Sequence, residues 1–105
     1  MEFIDTHSHL YDEAYAAEED AAVARSVEAG VGKVVLPDID SQTRSKMFDL
    51  ADRHPSCLFP CLGIHPTSID GQWEEEMEKL QEHTSRKIFA IGETGIDCYW
   101  SKDYL

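Results

Sequence analysis

Basic residues are scarce in this chain. Lysine and arginine together number 9 against 21 aspartates and glutamates, a formal net charge of −12. A general nucleic-acid binder usually presents a basic face. This composition offers none, so an anionic ligand must be drawn in locally by metal ions or a few cationic groups. The acid excess otherwise reads as a solvated exterior that keeps the chain soluble. No apolar run approaches the roughly 18 residues of a membrane helix, and no basic-plus-apolar leader of the secretory kind precedes the first motif. Both absences favour the cytoplasm and argue against a membrane partner. Cysteine is sparse and odd in number, Cys57, Cys61 and Cys98, which suits a reducing compartment. Cys57 and Cys61 fall on one strand face about 13 Å apart at the usual rise per residue. That is too far for a disulfide without rearrangement, so reduced, buried thiols are expected. The chain also lacks a Gly-rich phosphate loop of the P-loop kind and a Gly-x-Ser-x-Gly elbow. It has no linker and no low-complexity segment, so residues 1–105 read as one small domain.

What is present is an alternation. Four apolar, β-rich runs fall at roughly Glu2–His7, Lys33–Pro37, Cys57–Gly63 and Lys87–Gly92. Three helical patterns lie between them. The first, near Glu18–Ala29, carries Val23 and Val27 at i and i+4, acidic residues in its first turn and Gly30 at its stop position. The second, near Ser41–Arg53, has Ser41 as N-cap and Met47, Leu50 and Ala51 on one face. The third, near Gly71–His83, places Trp73, Met77 and Leu80 at i, i+4 and i+7. The order β-α-β-α-β-α-β implies parallel pairing with right-handed crossovers. The expected strand ends, near His9, Pro37, His65 and Glu93, are each 28 residues apart. That period suits one βα unit of a (β/α)8 barrel, although an open doubly wound sheet gives a similar pattern. A full barrel takes about 250 residues, so four strands make half of one. The expectation is an α/β chain forming the N-terminal half of a (β/α)8 TIM barrel. Such a piece is either part of a longer protein or leaves unpaired strand edges that invite self-association.

Barrel enzymes keep their chemistry at the C-terminal ends of strands, and polar residues cluster there. The first run delivers His7 and His9, which at i and i+2 on a strand face one way and can reach one metal ion. Two histidines bonded to the backbone are the alternative. The third run ends in Gly63-Ile64-His65-Pro66; Pro66 restricts the backbone of His65, which aims the ring at a substrate anion or makes it an acid or base. The fourth ends in Ile91-Gly92-Glu93-Thr94-Gly95-Ile96-Asp97. Glu93, flanked by glycines, can approach closely and bridge two metal ions through its two oxygens. Asp97 either orients a ligand or metal-bound water or is a turn carboxylate. His54 and His83, near helix C-termini, read as structural.

With those residues assembled, the chain resembles the TatD family of metal-dependent hydrolases. The resemblance rests on Asp5-Thr6-His7-Ser8-His9-Leu10, Gly63-Ile64-His65-Pro66 and Ile91-Gly92-Glu93-Thr94-Gly95-Ile96-Asp97, in order and with fitting separations, and on Gly30-Val31 before the second strand. It runs over essentially the whole chain but only the first part of a typical member. Thr94 stands where Ile or Val is commoner. The resemblance implies a (β/α)8 barrel with one or two divalent ions. His7 and His9 would hold one, Glu93 would bridge to a second, and Glu93 and Asp97 would be the catalytic carboxylates. Mg²⁺ is the ion expected for activity, with Zn²⁺ and Mn²⁺ also suited to such ligands. Members are similar to phosphodiesterases acting on DNA, typically 3′-to-5′ exonucleases, so single-stranded DNA or 3′ ends are the implied substrate and His65 would steady the scissile phosphate. The family's other ligands, two histidines and an aspartate on later strands, are not in this chain. Two alternatives stand beside the nuclease: a related barrel metallohydrolase acting on esters, amides or phosphotriesters, and an inactive truncated piece that only associates.

Overall fold

The computed structural model describes all 105 residues. Four strands alternate with three helices: β1 (Phe3–Asp5), α1 (Glu19–Glu28), β2 (Val31–Leu36), α2 (Ser41–Arg53), β3 (Leu58–Leu62), α3 (Trp73–Gln81) and β4 (Ala90–Ile91). Single 3-10 turns at Glu13–Tyr15 and Pro66–Ser68 lie on the exits of β1 and β3. The sheet runs in chain order, β1-β2-β3-β4, and every neighbouring pair is parallel. All strand exits therefore share one rim.

The core lies where α1 and α2 cover the sheet. Val34 and Leu36 of β2, Leu58 and Leu62 of β3, Ala22 and Val23 of α1, and Met47, Phe48, Leu50 and Ala51 of α2 are all buried in one cluster. Each large aliphatic side chain so buried contributes about 1.5–3 kcal/mol. The expected faces hold for α2 and only in part elsewhere. Val23 is buried, but Val27, a turn later, is half exposed. In α3, Trp73 is 45% and Met77 40% exposed, and only Leu80 packs on the core. Helical spacing sets which side chains share a face; it does not supply a surface for that face to meet.

Three local expectations are corrected. The N-cap of α2 is Asp40, not Ser41: its Oδ1 accepts from the backbone N–H groups of Gln42 (3.0 Å) and Thr43 (3.1 Å). Ser41 instead donates its hydroxyl and its backbone N–H to the Glu76 carboxylate, tying α3 to the start of α2. The first strand is shorter than expected. The N–H of His7 donates to the Asp5 carboxylate at 3.0 Å, which turns the chain as β1 ends. Cys57 lies one residue before β3 and is only half-buried, whereas Cys61 is buried; both thiols are free, and burial pushes both upward from their ordinary range. Gly30, at φ +99°, makes the left-handed stop after α1 that glycine adopts without strain.

Candidate metal centre

The strands end one to four residues before His9, Pro37, His65 and Glu93, so the chemistry sits on the exits rather than on the strands. His7 and His9 follow β1 on a segment held to β2 by the Ser8 N–H, which donates to the Val35 carbonyl at 3.2 Å. His65 caps the 3-10 turn after β3, and Glu93 follows β4. Glu93 Oε2 lies 3.3 Å from His7 Nε2 and 3.5 Å from His9 Nε2, and its Oε1 lies 3.0 Å from His65 Nε2. The structure thus brings together all four of these sequence-predicted residues. One ligand atom each from His7, His9 and Glu93 fall within 4.8 Å of one another.

The donor set fits a divalent ion. Glu93 Oε2 is buried and has no hydrogen-bond partner. It sits within ion-pair reach of two imidazoles but outside hydrogen-bond geometry. Separations of 3.3 and 3.5 Å between this oxygen and the two ring nitrogens are those over which His7, His9 and Glu93 would share one small divalent cation. Burial, and then the neighbouring His7, hold the His9 imidazole below its ordinary value of 6.5, against the pull of Glu93. That direction favours the neutral imidazole, the form that ligates a metal. His9 Nδ1 is 2.9 Å from the Tyr11 hydroxyl, which in turn donates to the Pro37 carbonyl. Burial pushes the Tyr11 phenol well above its ordinary range, so it keeps its proton.

Asp97 is placed elsewhere. Its two oxygens accept from the backbone N–H groups of Tyr99 (3.3 Å), Trp100 (3.1 Å) and Ser101 (3.2 Å). It is the turn carboxylate of the two readings, and it is not among the side chains gathered at Glu93. The structural reading of the other histidines holds: His54 pairs with Asp20 at 2.6 Å, and His83 stacks on Phe48.

Sequence reasoning missed the groups that hold Glu93 in place. Asp38 and Arg44 are 0% and 1% exposed and form an ion pair, Nε to Oδ2, of 2.6 Å. Asp38 Oδ2 also accepts from the Gly63 N–H at 3.1 Å, and Arg44 Nη2 donates to the Gly63 carbonyl at 3.2 Å. Burial pushes the Asp38 carboxyl upward, opposed by the Arg44 guanidinium and the Gly63 N–H. The Asp38 backbone then grips the β4 exit: its N–H donates to the Gly92 carbonyl at 3.0 Å, and the Glu93 N–H donates to the Asp38 carbonyl at 3.1 Å. The Gly92–Glu93 peptide is cis. Gly63 permits this approach, since a Cβ there would stand 2.7 Å from both the Glu93 carbonyl oxygen and the Gly92 carbonyl carbon. A charged residue at position 38, one past the 28-residue mark of β2, was the available signal.

A family model described as TatD-related DNase matches residues 4–105. The chain belongs to this family. It is 32% identical over 100 residues to a protein of Escherichia coli K12 named uncharacterized metal-dependent hydrolase YjjV, covering 92% of this chain and 38% of that protein. The crystal structure of YjjV, a TatD homologue, superposes with a TM-score of 0.77 at 31% identity, over 92% of this chain and 38% of that one. A relative from Erwinia tasmaniensis named 3'-5' ssDNA/RNA exonuclease TatD is 27% identical over 96 residues, 89% of this chain and 36% of that protein. The chain spans little more than a third of the length of these relatives. Its four parallel strands and their helices form the N-terminal half of a (β/α)8 barrel, the one of the two arrangements compatible with the strand period that the family resemblance implied. This TatD-family chain carries a His/Glu group suited to a metal ion, in keeping with relatives named metal-dependent hydrolases. No helix is long and apolar enough to cross a membrane.

Proposed function

We propose that the chain supplies the first part of a divalent-metal phosphodiesterase site acting on nucleic acid, with single-stranded DNA and its 3′ ends as the substrate. The observation that carries this reading is the convergence of His7, His9 and Glu93 on one point, with Glu93 Oε2 buried and unbonded. His7, His9 and Glu93 would hold the ion, Mg²⁺ for activity or Zn²⁺ or Mn²⁺ in its place. The second oxygen of Glu93 is available to bridge to another ion. A bound divalent ion would lower the pKa of a coordinated water and offset charge on the phosphoryl oxygens. His65 presents a ring nitrogen 3.0 Å from Glu93 Oε1, in reach of an anionic oxygen on the same rim. Asp97 enters this reading through the loop it closes, which lines a pocket with Pro66 and Thr67. A net charge of −12 leaves the local cation and these rings to attract a polyanion. Three free thiols suit a reducing, cytoplasmic setting.

The test, made on a protein in which these residues are continued by the remaining barrel strands, is cleavage of end-labelled single-stranded DNA against hydrolysis of small carboxylic and phosphotriester substrates, each with Mg²⁺, Mn²⁺ or Zn²⁺. DNA cleavage that a chelator and Glu93→Ala both remove supports the reading. Ester or phosphotriester turnover without DNA cleavage moves the chain to the related metallohydrolases. Unchanged cleavage in Glu93→Ala removes Glu93 from the mechanism.

One observation favours a second reading, association through the open sheet. Phe3 and Ile4 on β1, and Phe89 and Ile91 at β4, are all more than half exposed, at the two strands that each lack one neighbour. Unpaired edges with apolar side chains template further pairing. Light scattering that shows only monomer at high concentration would dismiss this reading.

A further inference from the structure

The two rings on either side of Glu93 are bonded in opposite senses. The Tyr11 hydroxyl has one proton and gives it to the Pro37 carbonyl, which can only accept. Toward His9 Nδ1, 2.9 Å away, the same oxygen is therefore an acceptor, and His9 must carry its proton on Nδ1. A neutral imidazole has one N–H, so His9 Nε2 turns a lone pair toward Glu93 Oε2, 3.5 Å away. Two acceptors then face each other with no proton between them, an arrangement that a cation would satisfy. His65 is the reverse. Its Nδ1 accepts from the Thr67 backbone N–H at 3.1 Å, and the Thr67 hydroxyl lies 2.7 Å from the same nitrogen. The His65 proton is then on Nε2, which lies 3.0 Å from Glu93 Oε1.

We propose that Tyr11 and Thr67 lock His9 and His65 into opposite tautomers, which makes His9 Nε2 a metal ligand and His65 Nε2–H a donor to anionic oxygen. The consequence for the ion rests on the metal reading above; the tautomers themselves do not. Tyr11 is a positioning residue. It is fully buried, it touches the site only through His9, and it ties the β1 exit to the β2 exit. Partners that fix the ring of a metal-binding histidine are commonly worth 10–100-fold in metal affinity.

The test is the tautomer of each ring, read by long-range ¹H–¹⁵N spectra of the metal-free chain labelled at histidine. His9 should be protonated at Nδ1 and His65 at Nε2. Tyr11→Phe keeps the buried ring and removes the hydroxyl. His9 should then shift toward the Nε2–H form that free imidazole side chains prefer in water, while His65 stays unchanged. Zn²⁺ affinity, measured by competition with a chromogenic chelator, should fall about 10–100-fold. A wild-type His9 protonated at Nε2 overturns the proposal without recourse to any variant. So does a folded Tyr11→Phe chain with unaltered tautomer and Zn²⁺ affinity. A chain that shows the opposite tautomers yet takes up no Zn²⁺ upholds the wiring and defeats the metal reading alone.

Discussion

Gly63→Ala should disrupt the candidate metal centre from a position whose nearest obstructing atoms are all backbone. The added Cβ would stand 2.7 Å from the Glu93 carbonyl oxygen and the Gly92 carbonyl carbon, and 2.9 Å from the Glu93 nitrogen. Ordinary contact begins near 3.4 Å, so the β4 exit must retreat by about 0.7 Å. All three obstructing atoms are backbone, and the Asp38 backbone holds the same segment at 3.0 and 3.1 Å, so the strain has no flexible side chain to absorb it. Overpacking of this kind costs about 1–3 kcal/mol. The effect on an ion should exceed that on the fold, because ligand distances tolerate only about 0.2 Å. The assay pairs a melting curve in chelator with Zn²⁺ affinity by competition. The expected result is a modest fall in Tm and a loss of affinity of tenfold or more. Gly92→Ala is the control, since a Cβ there has nothing nearer than the Cys61 Cβ at 4.0 Å. A folded Gly63→Ala chain that binds Zn²⁺ like wild type would refute the reasoning.

Three other outcomes follow from the same contacts. Arg44→Met should cost about 3–5 kcal/mol in urea unfolding, because it strands the buried Asp38; Arg44→Met with Asp38→Leu should recover most of that loss. Asp97→Ala should leave Zn²⁺ affinity within twofold while amide exchange at Tyr99, Trp100 and Ser101 accelerates, since those N–H groups lose their acceptor. Asp20 is held below its ordinary 3.8 by hydrogen bonds from His54 and Arg53. A depressed carboxyl contributes above its unfolded value and loses that contribution as pH falls through its folded value. The Tm difference between wild type and Asp20→Asn should therefore be present above pH 3.8 and vanish in stronger acid.

The clustering of His7, His9, His65 and Glu93 was legible because it depends on residue type and spacing along single segments. Two histidines at i and i+2, a glutamate between glycines and a 28-residue strand period need no tertiary knowledge. What escaped is set by contacts between segments. Asp40 and Ser41 are both good caps, and only Glu76, from α3, shows why Ser41 is otherwise engaged. Trp73 and Met77 share a helical face in sequence, yet both stay 40% or more exposed, and Trp73 lines a shallow pocket with Ile69, Tyr104 and Leu105 rather than joining the core. Tyr11 reads as an ordinary core aromatic until Pro37, 26 residues on, accepts its proton. Arg44 reads as a surface residue of an amphipathic helix until Asp38 and Gly63 are seen to enclose its guanidinium.

The last strand has only two residues, held by the pairs Cys61↔Ala90 and Leu62↔Ile91, and it delivers the carboxylate that unites three imidazoles. A cation clasped between His7 and Glu93 would close a ring through nearly the entire polypeptide, where cross-links remove the most freedom from the unfolded chain. The ion would then serve as a fastener as well as a reagent, and its departure would release β4 first. In such a molecule, occupancy of the site and the fraying of one short edge are the same equilibrium observed from two sides.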